Sequence, residues 1–214
     1  MTRARAIYVD LDDVLAHSIE GLIDLLGRDH GRRVDVEDVA HFDLGRSFSL
    51  DEAELSRFFD RAHSPDELVA LAPREGASRT LRGWRAAGWR VHVVTGRPPV
   101  CAEASRDWLA RHDIPHDGLH FVDKYGRDFE TVPGVPFEPV EAVLEMSFTW
   151  AVEDSLDMAL RLATQAEMHV ALVDRPWNRS VPDLPRAAAR RIVRCHDWDE
   201  IEHALSGHEA GMGG

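Results

Sequence analysis

The sequence predicts an α/β fold: a Rossmann-like parallel sheet flanked by helices, with a small helical cap inserted after the first strand. Two observations predict it. Short runs of β-branched and aromatic residues alternate with stretches of helical periodicity, and almost every such run ends in a polar or acidic cluster. Residues 17–76 carry helix-start signals and no convincing strand. Parallel strands require crossover connections, and right-handed crossovers place helices on both faces of the sheet. Ligands of such sheets collect beyond the carboxyl ends of the strands, so the polar strand ends are where a site is expected.

The first run, Ile7, Tyr8 and Val9, is a buried strand followed at once by Asp10, Asp12 and Asp13. Ile19, Leu22, Ile23, Leu25 and Leu26 then recur at helical spacing and stop near Gly27 or Gly31. Ser49-Leu50-Asp51-Glu52 and Ser64-Pro65-Asp66-Glu67 both match a capping box and predict short helices over 50–62 and 65–71. A helix over 77–87 carries Leu81 and Trp84 inward and ends at Gly88. The strand over 89–94 runs into Thr95-Gly96-Arg97-Pro98, and Val100, Ala104, Trp108 and Leu109 give the apolar face of a helix over 99–112. A third strand, 119–122, ends at Asp123 and Lys124, followed by a Pro- and Gly-rich loop over 125–140 and a brief helix to 146. The strand over 148–152 ends at Glu153 and Asp154, and Asp157 opens the helix behind it. Strands over 169–173 and 191–193 follow, then a helix over 197–205 capped by Asp197 and Glu200. The domain plan is a core of 1–16 and 77–206, a helical cap of 17–76, and a Gly-rich disordered tail of 207–214.

Composition narrows the function classes. A chain of 214 residues with 44% hydrophobic residues and six Trp has enough apolar surface for a sizeable core. Its formal charge of -13 argues against a nucleic-acid duplex or an anionic membrane as partner, because both repel it. An anionic small substrate would need a metal and a local basic pocket. Two unpaired Cys, Cys101 and Cys195, and the lack of a long apolar segment or leader point to a reduced, soluble, cytoplasmic protein; a homodimer stays open.

Period-two alternation puts Asp10 and Asp12 on one side of the strand end, where like charges repel unless a cation or phosphoryl group lies between them. Carboxylates at Asp10 and Asp154, with a backbone carbonyl near Asp12, form the all-oxygen shell that Mg²⁺ prefers. Lys124 and the Thr95 hydroxyl suit phosphoryl oxygens. Asp10 can attack phosphorus, and Asp12 can protonate the leaving oxygen and later activate water. Gly96 and Arg97 join Thr95 and Lys124 as candidate substrate-binding residues, and Arg175 is a further candidate. Phe42 and Trp177 read as packing residues. His112, His116 and His120 have metal-like spacing, but Pro115 breaks the helix that would align them.

The ordered set Asp10-x-Asp12-x-Val14, Thr95-Gly96-Arg97, Lys124 and Glu153-Asp154 with Asp157 resembles the four motifs of the haloacid dehalogenase superfamily. That resemblance implies a Mg²⁺-dependent phosphomonoesterase acting through an aspartyl-phosphate. Asp10 would be the nucleophile, Asp12 the acid/base, Thr95 and Lys124 the phosphate-stabilising pair, and Asp154 a metal ligand helped by Glu153 or Asp157. The helical insert, Phe42-Asp43-Leu44 and Asp174-Arg175-Pro176-Trp177-Asn178 are similar to the 5'(3')-deoxyribonucleotidase family, which implies a nucleoside monophosphate as substrate. A phosphatase for another small metabolite and a non-catalytic phosphate-binding module are the alternatives.

Overall fold

The computed structural model describes residues 5–127, 129–179 and 186–212. Its centre is β1 (Ala6–Asp10), which pairs in parallel with β2 (Arg90–Thr95) on one side and β5 (Trp150–Glu153) on the other. Outward from β2 lie β3 (Gly118–Asp123) and β4 (Phe137–Pro139); outward from β5 lie β6 (His169–Val173) and β7 (Ile192–Cys195). All seven strands run parallel, so their carboxyl ends share one rim. The strand order changes direction at β1, where parallel sheets open a crevice.

Alternation along the strands divides the core. Ile7, Val9, Val91, Val93 and Val152 point to the face covered by α5 (Ala77–Ala86), α6 (Ala102–Arg111) and α11 (Trp198–Met212). Ala6, Tyr8, Val94, Val122 and Ala151 point to the face covered by α7 (Val140–Glu145), α8 (Leu156–Thr164) and α10 (Arg186–Ala189). Trp108 on α6 is fully buried, and its Nε1 donates to the Leu71 carbonyl at 2.7 Å. Trp108→Ala is therefore expected to destabilise the fold by about 3–5 kcal/mol, read from a denaturant titration.

The helices α1 (Ser18–His30), α2 (Leu44–Phe48), α3 (Glu52–Ala62) and α4 (Pro65–Ala70) leave the sheet after β1. Ile19, Leu25, Leu26, Val39, Phe48 and Phe58 give them a hydrophobic cluster of their own. The two connections to the sheet run side by side: His17 N donates to Ala72 O at 2.9 Å and Arg74 N to Leu15 O at 2.7 Å. Entry and exit thus stand at the same rim as Asp10.

Local departures from the sequence reading have physical causes. Ser49 does not start α3; it ends α2 in a left-handed conformation, φ 53°, and the capping box forms at Asp51 and Glu54 with bonds of 2.8 and 3.0 Å. The sequence reading missed α2 because its cap, Asp43, has Arg46 rather than Glu or Gln at the third helical position. Ser64 makes no cap bond, and Glu67 faces Arg28 and Arg61 instead. The stretch read as a loop holds β4, a three-residue edge strand ending in Pro139, too short for a periodic signal. The expectation of a disordered tail is corrected as well, since α11 continues through Gly207 to Met212; a helix already nucleated tolerates a glycine at a cost of about 1 kcal/mol. Residues 213–214 lie outside the described part.

Candidate active site

The rim collects one group from each of four central strands. Asp10 ends β1, Thr95 ends β2, Lys124 follows β3, and Glu153 with Asp154 closes β5. Lys124 Nζ donates to Asp10 Oδ1 at 2.7 Å and to Glu153 Oε2 at 3.0 Å, with all three side chains buried. Glu153, fully buried, is further satisfied by the Tyr8 hydroxyl at 2.7 Å and by the amides of Asp154 and Ser155 at 3.2 and 3.1 Å. Such bonds are what let a carboxylate leave water.

Asp10, Glu153 and Asp154 each offer an oxygen, and the three lie within 4.8 Å of one another. Three carboxylates against one ammonium leave an excess of negative charge in a dry site, which suits a divalent cation. The donor set is all oxygen, which fits Mg²⁺ better than a softer metal. Burial, then the charge of Glu153, pushes Asp10 up to about 8, and burial with Glu153 and Asp10 raises Asp154 well above the usual carboxylate range. Burial would lower Lys124, but Asp10 and Glu153 outweigh it and hold the ammonium well above its ordinary value. Of the two acids left open as helpers, Glu153 joins the trio; Asp157 lies outside it, in the first turn of α8.

The carboxylate of Asp12 lies outside the trio. Arg97 Nε and a terminal nitrogen donate to it at 2.7–3.1 Å, Ser18 Oγ donates as well, and Thr95 Oγ1 stands at 3.4 Å. Burial would raise Asp12, but the Arg97 charge and these hydrogen bonds hold it below the usual carboxylate range. Arg97 is itself buried and steadied by Ser105 Oγ at 3.2 Å. A Cβ on Gly96 would meet the Tyr125 ring at 2.7 Å, so only glycine lets Tyr125 close over this turn. Asp13 has φ 58°, a conformation that glycine adopts more easily; its carboxylate accepts from the Ile19 amide at 3.1 Å and from Arg74 at 3.2 Å.

A cavity of about 440 Å³ opens between this rim and the inserted helices. Asp10, Asp12, Asp154 and Arg97 form its polar floor; Phe42, Phe59, Tyr125 and Trp177 supply aromatic walls, and the remaining lining mixes leucines with polar side chains such as His41, His63 and Arg127. Phe42 and Trp177, read from sequence as packing residues, therefore face the site. In addition, Trp177 Nε1 donates to Asp154 Oδ2 at 2.9 Å. Arg175 does not line the cavity; it donates to the carbonyls of Asp13 and Asp174. The three spaced histidines share no centre: His120 joins His92 and Glu138 at 3.0 and 3.1 Å, His116 faces the Ile114 carbonyl, and His112 lies against Trp108.

Sequence reasoning missed Tyr8, Arg97 as the partner of Asp12, and Trp177 as the partner of Asp154. Only Tyr8 left a signal, since a period of two sets it opposite Val9 and on the face shared by Glu153.

The raised acids make a pH prediction for the cation-free protein. Asp10 at about 8 and Asp13 at about 7 bind protons in the folded state that an unfolded chain releases near the usual 3.8. Stability then falls as pH rises from about 5 to 8, because the folded state binds more protons across that window. The melting temperature in a chelator is expected to decline from pH 6 to pH 8, and added Mg²⁺ to restore more of it at pH 8 than at pH 6. A flat profile would show that the acids are not buried together.

The family model for the LNS2 domain of PITM 1-3 matches residues 61–132. Two curated relatives are "Putative nucleotidase BH1399" of Halalkalibacterium halodurans, 22% identical with 80% of this chain and 77% of that protein covered, and "Putative nucleotidase OB0422" of Oceanobacillus iheyensis, 22% identical with 88% and 94% covered. Among solved structures, a haloacid dehalogenase-like hydrolase, SP0104 of Streptococcus pneumoniae, superposes with a TM-score of 0.62 at 13% identity, with 96% of this chain and all of that one covered.

Proposed function

The fold is the haloacid dehalogenase-like one, and on that premise we propose that this chain is a Mg²⁺-dependent phosphomonoesterase acting on nucleoside monophosphates through an aspartyl-phosphate. The observation that carries the reading is the buried meeting of Asp10, Glu153 and Asp154 with Lys124 bridging two of them. The core of 1–16 and 77–206 supplies the reacting groups, and residues 17–76 act as the cap that shapes the leaving-group cavity.

Asp10 and Asp154, with the backbone carbonyl near Asp12 and with Glu153 beside them, would hold Mg²⁺. Once bound, it supplies charge neutralisation for the phosphoryl oxygens and lets Asp10 work as a carboxylate. Thr95, the Gly96 turn, Arg97 and Lys124 receive the phosphoryl group. An Asp10 carboxylate oxygen bonds to phosphorus as the ester P–O bond breaks, and the leaving oxygen takes a proton from Asp12. Water then gives its proton to Asp12 and attacks phosphorus, which frees Asp10 and inorganic phosphate. In the resting arrangement Arg97 keeps Asp12 ionised. An entering phosphate dianion gives Arg97 a second acceptor, and every contact Arg97 releases lets burial raise Asp12 toward its protonated form.

A nucleoside as leaving group is supported by the aromatic walls of Phe42, Phe59, Tyr125 and Trp177, whose faces suit a flat ring, and by the names of the two bacterial relatives. The deciding measurement is phosphate release with Mg²⁺ from a panel of nucleoside monophosphates, sugar phosphates and a simple aryl phosphate. The expected result is the highest kcat/KM for nucleotides, and no release after chelation. Equal rates across the panel would leave a phosphatase for other small metabolites; no release from any ester would leave a phosphate-binding module.

A further inference from the structure

The short helix α9 (Pro176–Arg179) belongs to none of the four strand-end clusters, yet two of its side chains grip the same residue. Trp177 Nε1 donates to Asp154 Oδ2 at 2.9 Å, and Asn178 Nδ2 donates to the Asp154 carbonyl at 2.7 Å. Asn178 is fully buried and also spans to the Val173 carbonyl at 2.8 Å, so α9 is anchored to the end of β6. Arg194 from β7 donates to Asn178 twice more, through its side-chain and backbone oxygens. On its other side Trp177 packs against the hydrophobic cluster of the inserted helices and lines the cavity. Arg179 adds an ion pair to Glu37 of the insert.

We propose that Trp177 is a positioning residue for the cation: its indole N–H fixes Asp154 Oδ2 and thereby turns the other carboxylate oxygen toward the divalent ion. This rests on the phosphatase reading through one assignment, Asp154 as a metal ligand. An indole is a donor with no charge and no acceptor atom. It can hold a carboxylate oxygen in a dry site without competing electrostatically with the cation, as a lysine or arginine there would. Partners that orient a ligand in this way typically govern metal affinity by ten- to a hundred-fold. Because the same ring touches the insert, the orientation of Asp154 depends on the insert being seated on the rim.

The test is calorimetric Mg²⁺ binding, with Mn²⁺ in parallel, to the full chain and to Trp177→Phe, Trp177→His and Asp154→Asn, without substrate. Trp177→Phe keeps an aromatic ring but lacks the N–H; it is expected to weaken binding about ten- to a hundred-fold while the cation-free melting temperature stays near native. Trp177→His offers a ring N–H and is expected to recover part of the affinity. Asp154→Asn is expected to abolish binding. Native affinity in Trp177→Phe, with binding lost in Asp154→Asn, would overturn the positioning role and leave the phosphatase reading intact. Native affinity in Asp154→Asn would instead remove the metal-ligand assignment on which both rest. If Phe and His weaken binding equally, ring shape rather than the N–H is responsible, and the proposal fails.

Discussion

Asp10→Asn is expected to abolish turnover, with a fall in kcat of at least about four orders of magnitude, while leaving the fold intact. The amide cannot form the bond to phosphorus, and the other described carboxylates at the rim are engaged: Glu153 with Tyr8, Lys124 and two amides, Asp154 with Trp177, Asp12 with Arg97, and Asp13 with Arg74 and the Ile19 amide. The effect on stability should run the other way. Burial and Glu153 push Asp10 up to about 8, so above that pH the cation-free native state carries a poorly solvated charge. Asparagine removes that charge, and Lys124 keeps Glu153 as a partner at 3.0 Å. Cation-free Asp10→Asn should therefore melt at or above the native temperature at pH 8–9. Loss of the fold would show that the Asp10–Lys124 pair is a structural strut; undiminished turnover would remove Asp10 as nucleophile.

Asp12→Asn is expected to lower the single-turnover rate of Asp10 phosphorylation by about 10²–10⁴-fold for a nucleoside monophosphate, whose alkoxide leaves poorly without a proton. An aryl phosphate, whose phenolate leaves without help, should lose far less in that step. The contrast between the two substrates is the diagnostic, because an effect on binding or folding would slow both alike. Asparagine keeps an oxygen for Arg97 and Ser18, so the turn after β1 is expected to persist, and circular dichroism with a melting curve checks this. Equal losses for the two esters would rule out Asp12 as the general acid.

Both predictions follow from groups whose residue types were readable in the chain, although their relations were not. Strand-end acids at Asp10, Asp12, Glu153 and Asp154, Thr95 before Gly96, and Lys124 after the third strand stand out because a sheet of parallel strands gathers its carboxyl ends on one rim. The insert was legible from its apolar spacing and lack of strands, although its cap residues were misplaced around Ser49. Trp177 was read as packing because an aromatic beside Pro176 has no spacing signal, and its indole N–H meets Asp154 only after β5 and β6 have paired.

By itself, the sequence determined the elements whose physics is local: strands from short β-branched runs, helices from apolar periodicity, and acids at strand ends. Tertiary structure alone decided which acid Lys124 bridges to Asp10, that the Asp12 carboxylate is held by Arg97 and stands outside the Asp10–Glu153–Asp154 trio, and that α9 grips Asp154. The reason lies in the range of the forces. Periodicity records how each segment meets water or core within a few residues, whereas charge pairing in a desolvated rim depends on distances of a few ångströms between residues far apart in the chain, and those distances exist only once the sheet has formed.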